Sequence, residues 1–153
     1  MMGAAKIRPR GQSLAIVAFG PSSLRYLQVL KSGYQHCLVA TQAGGQWHLL
    51  DPLSNGMEIL SLGDVTPREI VASFRDAGCD VVAVQRKPPV MKTMPLAPFT
   101  CVEAVKRVLG IRARSVLTPW QLRRYLDGGR LSSLRRSSRS ARDRRLRPGV
   151  AQP

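Results

Sequence analysis

Apolar positions along this chain come in short blocks separated by glycine, proline and polar clusters, and in the first half the block lengths favour strands. Leu14 to Phe19 (LAIVAF) is a continuous apolar run closed by Gly20-Pro21, short and punctuated as a buried strand is. Ser22 or Ser23 then predicts a helix cap, with Leu24, Tyr26, Leu27 and Leu30 as the apolar stripe and Gly33 as the stop. His36 to Thr41 (HCLVAT), the turn at Ala43-Gly44-Gly45 and Gln46 to Asp51 (QWHLLD) read as a hairpin terminated by Pro52. A further strand, Met57 to Leu62, follows the Ser54-Asn55-Gly56 turn.

The second half is punctuated by helix starts of one kind, a threonine followed three residues later by Glu or Gln: Thr66/Glu69, Thr100/Glu103 and Thr118/Gln121. In that spacing each side chain can satisfy the other's unpaired backbone N–H, and Pro67 and Pro119 add a proline at the first helical position. The first of these helices runs to about Ala77 and stops at Gly78, and Val81 to Gln85 (VVAVQ) is another buried strand. Lys87 to Pro98, with four prolines, is an irregular connector that cannot add central ladder bonds. The last helix spans about Pro119 to Leu126 and ends at Gly128-Gly129. The expected fold is α+β, a small and mostly antiparallel sheet packed against helices in one domain over residues 13–128. A flexible basic N-terminus, residues 1–12, precedes it, and a disordered Arg/Ser-rich tail, residues 129–153, follows.

Composition narrows the function classes. At 153 residues and 44% hydrophobic content the chain supports one core and hence one principal site. The net charge of +15 is uneven: residues 1–129 hold 16 basic and 8 acidic side chains, while residues 130–153 hold 8 arginines against Asp143. Arg135, Arg136, Arg139, Arg142, Arg144, Arg145 and Arg147 therefore form a candidate polyanion-binding segment for nucleic acid or another anionic polymer. That segment has no aromatic residue for base stacking, so such binding is expected to be salt-sensitive and nearly sequence-blind.

Three widely spaced cysteines, Cys37, Cys79 and Cys101, form no CxxC pair, so neither a disulfide framework nor a metal site is expected. Gly44-Gly45 and Gly128-Gly129 fall outside any phosphate-binding frame, and no cofactor is expected. No apolar run approaches the roughly 18 residues of a membrane span, and no signal-type block follows Lys6, Arg8 and Arg10. A reducing cytoplasm suits such a chain, or a virion if a phage encodes it.

The stretch Pro98-Phe99-Thr100-Cys101-Val102-Glu103 carries the candidate chemistry. With Thr100 as cap, Cys101 is the first residue of a helix, where unpaired N–H groups and the positive end of the helix dipole favour thiolate over thiol. On a helical wheel Cys101 sits within the apolar arc of Val102, Ala104, Val105, Val108 and Leu109, with Glu103, Lys106 and Arg107 facing away. A free cysteine is also a common small core hydrophobe, so a nucleophile needs a base. His36 opens the hairpin, sharing a strand face with Leu38 and Ala40, and Asp51 ends the partner strand, close enough to hold an imidazole. His48 is the alternative orienter, and Cys37, on the opposite strand face from His36, is a poor partner for it. An aspartate before proline also forms turns in its own right.

A histidine opening a hairpin (GYQHCLVATQ), a polar residue at the end of the next strand (WHLLDP) and a later cysteine opening a helix (APFTCVEAVKRVLGI) resemble the circularly permuted, NlpC-like branch of the papain-like cysteine hydrolases. The resemblance covers about residues 14–126 and extends to small phage and bacterial proteins of this kind. It implies Cys101 as nucleophile, His36 as general base and then acid, and Asp51 as the third member, acting on a peptide or other amide-containing substrate. Thr100 and Val102 stand where related families carry Asp-Cys-Ser or Asn-Cys contexts. The Cys101 backbone N–H is one oxyanion donor in this scheme, with no second donor evident. The competing function class is a non-enzymatic basic accessory or virion protein that holds a polyanion through its arginines.

Overall fold

The run that reads as a doubly buried strand is the middle of a sheet. In the computed structural model, which describes residues 14–87 and 97–128, β1 (Leu14–Gly20) is flanked on both sides. Ala15 to Phe19 are at most 1% exposed, because both faces of the strand are covered. β2 (His36–Ala43), β3 (Gln46–Leu53) and β4 (Gly56–Gly63) follow as a meander, and β5 (Asp80–Gln85) adds to the other side of β1. The strand order is β4-β3-β2-β1-β5, with every neighbouring pair antiparallel. Residues 1–12, the connector's residues 88–96 and the segment 129–153 with its seven candidate arginines lie outside the described residues.

Helices close both faces of this sheet. α1 (Pro67–Asp76) packs Ile70, with Val71 and Phe74, on the face that presents Ile16, Ala40 and Trp47. α2 (Cys101–Leu109) and α3 (residues 119–128) cover the other face, where Ala15, Val17, Phe19, Cys37, Val39 and Val82 meet Val102, Val105, Leu109, Leu122 and Leu126. α2 lies mainly over β2 and then over β3, which sets its first residue beside the strands that carry His36 and Asp51.

The local signals form as their chemistry requires. Gly44 (φ 61°) and Gly45 (φ 83°) make the two-residue loop between β2 and β3, whose left-handed backbone matches the strand twist and fixes the register Val39 with Leu50. Thr66/Glu69 forms the full reciprocal cap of α1, and Thr118/Gln121 does so for α3. At α2 only half of the box is made: Thr100 Oγ1 accepts from the Glu103 N–H at 3.2 Å.

Three expectations are corrected. Residues 22–33 form no α-helix, only a five-residue 3-10 turn at Arg25–Val29, with Tyr26 62% and Val29 87% exposed. Among the described residues that turn buries none of its side chains, and a short isolated helix gains too little from its own hydrogen bonds. Pro52 does not end β3, which continues to Leu53 against β4 alone, having already left its β2 ladder at Leu50. A residue without an N–H is tolerated at such a one-sided position. Glu103 and Lys106 do not face water, being 7% and 4% exposed. Residues 110–118 fold back over them, and Lys106 Nζ donates to the carbonyls of Ala113 (2.9 Å) and Val116 (3.0 Å) while pairing with Glu103 at 2.8 Å. Glu103, turned toward Lys106 and Arg107, is thereby unavailable to complete the Thr100 cap.

Candidate functional site

The β2–β3 hairpin stops pairing at Val39 and Leu50, and the side chains just beyond that point meet instead. His36 Nε2 lies 2.6 Å from Asp51 Oδ1, both side chains being partly buried. His36 is the first residue of β2 and pairs with Gly20 of β1. Strict strand alternation groups it with Ala40 on the α1 face, yet it interacts with the Cys101 side chain of α2. A strand's terminal residue at the sheet margin has the freedom to do so. With Nε2 taken by Asp51, Nδ1 is the nitrogen left for the sulfur.

Cys101 is the first residue of α2, capped by Thr100, and is partly exposed. It packs against the apolar cluster to which Cys37 belongs, and Cys37 and His36 are the groups that favour its ionised form. The Cys37 hydrogen bond and then His36 outweigh burial, and they lower the Cys101 thiol from 9.0 to about 5. In return the hydrogen bond to Cys101, joined by that to Asp51, outweighs burial at His36 and raises its imidazole from 6.5 to about 9. Between those values thiolate and imidazolium are the favoured forms, with the imidazolium donating its Nε2–H to Asp51. Cys37, fully buried, is pushed well above its ordinary value, first by its hydrogen bond to Cys101 and then by burial.

Cys101, His36 and Asp51 are thus brought together from a helix and two strands. His48 is not part of the group: it stands opposite Thr41 on β2, five residues along the strand from His36, which at a strand's rise is about 17 Å away. Asp51 already holds the ring, so the alternative of His48 as orienter is set aside. The residue that sequence reasoning undervalued is Cys37. It faces away from the Ala40 side of the sheet, but that is the face α2 covers. Combining the alternation of β2 with the apolar arc of α2 would have placed two inward-facing thiols on packed elements.

Behind the site a second polar group anchors α3. Asp80 Oδ2, at the start of β5, accepts from Tyr34 Oη at 2.9 Å and from Arg123 Nε at 2.6 Å, and Arg123 also pairs with Asp127. Trp120 packs edge-on against Tyr34, and the Lys31 ammonium sits 3.3 Å from the centre of the Trp120 ring. Tyr34 precedes His36 by two residues, so this group fixes the chain that enters β2. Among the described residues no helix is long and apolar enough to cross a membrane. Comparisons with protein-family models, curated proteins and solved structures return no match.

Proposed function

We propose that this protein is a cysteine hydrolase or acyltransferase in which Cys101 is the nucleophile, His36 the general base and then acid, and Asp51 the residue that holds the imidazole. The order of its parts, strands before the cysteine helix, is that of the permuted, NlpC-like papain-fold enzymes. What supports the reading is one imidazole held by the Asp51 carboxylate at 2.6 Å, on strands covered by the helix that opens with Cys101, each of the imidazole and the thiol favouring the other's charged form.

In this mechanism the Cys101 thiolate attacks the carbonyl carbon of an amide, ester or thioester. The developing oxyanion lies toward the Cys101 backbone N–H, one of the unpaired donors at the start of α2. The His36 imidazolium gives its Nδ1 proton to the leaving group, and a thioester to Cys101 remains. Neutral His36 then takes a proton from water or another acceptor as it attacks the thioester, and Cys101 departs as thiolate. Peptide or peptidoglycan-type amides are the substrate class.

An activated ester tests this without knowledge of the natural substrate. Incubated with p-nitrophenyl acetate, the protein should carry one acetyl group on Cys101 by peptide mass mapping, and release of nitrophenol should be lost in Cys101→Ala. His36→Ala should slow both formation and hydrolysis of the adduct. Acetylation spread evenly over the three cysteines, with nitrophenol release unchanged in both variants, would rule the mechanism out. The arginine-rich segment supports a separate and compatible proposal, retention of a polyanion near the domain.

A further inference from the structure

Cys37 has no step in the hydrolytic cycle, yet it lies on the strand face that α2 covers, in the cluster against which Cys101 packs. It is 0% exposed within the cluster built by Val39, Val102 and Val105, and Cys101 packs on that same cluster. α2, which opens with Cys101, lies over β2, which carries Cys37, and each thiol shifts the other's ionisation. A strand thiol and a helix thiol held on facing elements of one packed cluster need little further ordering to bond. Cys101 is open to small solutes, whereas Cys37 is sealed from them.

We infer that Cys37 is the resolving thiol of Cys101, so that a hydroperoxide converts this site reversibly into a Cys37–Cys101 disulfide. The inference shares with the proposed function only the nucleophilic sulfur of Cys101 and needs no carbonyl chemistry. In the first step the Cys101 thiolate attacks a peroxide oxygen and the O–O bond breaks. Cys101 becomes a sulfenic acid, oxidised by two electrons, and the departing hydroxide or alkoxide takes a proton from the His36 imidazolium. In the second step the Cys37 sulfur attacks the Cys101 sulfur and the S–O bond breaks. The hydroxyl leaves with the Cys37 proton as water, and the S–S bond forms.

The two steps are ordered by charge. While Cys101 is a thiolate, the Cys37 proton is held by the hydrogen bond to it, and Cys37 stays an inert thiol. Oxidation of Cys101 to a neutral sulfenic acid removes that negative charge and presents an electrophilic sulfur at the same contact. Closing the disulfide keeps Cys101 from the irreversible sulfinic and sulfonic states, and a dithiol reductant returns the nucleophile.

Cleavage after lysine and arginine puts Cys37, Cys79 and Cys101 into different peptides, so the bond can be mapped directly. The full chain, treated with one equivalent of hydrogen peroxide and mapped without reduction, should yield a Cys37–Cys101 crosslinked peptide that dithiothreitol splits. Rapid labelling of Cys101 by iodoacetamide should be lost and regained in step. Cys79→Ser should leave the crosslink unchanged. Cys37→Ala, checked for retained fold by circular dichroism, should instead accumulate dimedone-reactive and then sulfinic Cys101. Accumulation of sulfinic Cys101 in the unmutated chain, or a crosslink through Cys79, would overturn the inference on the unmutated protein alone. Fast alkylation of Cys101 without any disulfide would sink the resolving role but leave the hydrolase proposal standing; slow alkylation would sink both.

Discussion

The His36 imidazole and the Asp51 carboxylate meet just past the last backbone pair of their hairpin, and at 2.6 Å they clasp two strands that have ceased to share ladder bonds. The clasp sets both the position of the ring and the nitrogen it offers to Cys101. An asparagine oxygen accepts from the same Nε2–H, so Asp51→Asn should preserve ring orientation while removing the charge. Asp51→Ala should lower the iodoacetamide rate of Cys101 at neutral pH by about tenfold or more, and Asp51→Asn by much less. Equal losses in the two variants would mean that charge, not orientation, is what Asp51 supplies.

The thiolate is the species that alkylates, so the rate against pH reports the Cys101 proton. Labelling of Cys101 should rise with a midpoint near pH 5 and be level through neutrality, since the thiol is lowered to about 5 by Cys37, His36 and the Cys37 N–H. Cys79, whose thiol is pushed upward by burial, should label only above its ordinary value of 9.0. His36→Ala removes one hydrogen bond and one positive charge from the sulfur, so the Cys101 midpoint should move upward. A wild-type midpoint near that of Cys79 would mean that the ion pair does not form.

The same pair should shape stability against pH in a specific window. His36, raised from 6.5 to about 9, contributes stability that is complete below pH 6.5 and lost as pH rises through about 9. Cys101, lowered from 9.0 to about 5, contributes stability that is complete above pH 9.0 and lost as pH falls through about 5. Between 6.5 and 9 the two slopes cancel, because folded and unfolded chains each hold one proton on the pair. From 6.5 down to 5 the unfolded chain holds two and the folded chain one, so the Tm should fall there. Asp80, Glu69 and Glu103, all lowered from ordinary carboxylate values, act only below about pH 4.5. Cys101→Ala should therefore flatten the 6.5-to-5 window and leave the more acidic limb in place, and a window of equal depth in that variant would assign it to other groups.

What could be read from the chain was what local chemistry decides. The doubly buried β1, the Gly44-Gly45 loop and the threonine caps are each specified within a few residues, and they place His36 and Cys101 at element starts and Asp51 just beyond the β2–β3 ladder. Contacts that depend on which helix covers which sheet face were not legible. Cys37 could be assigned a strand face but not the thiol waiting above it, and Glu103 and Lys106 look solvent-facing on a wheel until residues 110–118 cover them. The 22–33 segment differs for the opposite reason: its leucine spacing is helical, but among the described residues the turn at Arg25–Val29 buries no side chain.

Removing residues 130–153 takes away 8 arginines and Asp143, lowering the net charge from +15 to +8. Affinity for single- or double-stranded nucleic acid should fall at low salt, and the dependence of log K on log salt should become shallower by roughly 0.7 to 0.9 per arginine engaged. Fluorescence anisotropy with oligonucleotides of unrelated sequence measures both quantities. Cys101→Ala should change neither. Binding that survives the truncation with its salt slope intact would move the polyanion surface onto the domain.

Lys106 is the buried charge whose partners are most completely accounted for, with the Glu103 carboxylate and the Ala113 and Val116 carbonyls all within 3.0 Å of its ammonium. Lys106→Ala takes a donor from both carbonyls, leaving Ala113 the longer bond from the Val116 N–H at 3.4 Å, and leaves a buried carboxylate beside Arg107, a defect of about 3–5 kcal/mol. At Glu103, burial opposes ionisation but Lys106 and Arg107 outweigh it and hold the carboxyl below its ordinary value. Glu103→Gln keeps the shape and an acceptor oxygen for Lys106, so it should cost less than Lys106→Ala. Lys106→Met, which packs the stem but donates nothing, separates lost packing from lost hydrogen bonds: it should be nearly as damaging as Ala if the two carbonyls are what the ammonium serves. Urea denaturation of the three variants gives that order directly. A Met variant as stable as the wild type would show that the 110–118 segment is held over α2 by apolar contacts through Ile111 and Val116 rather than by Lys106.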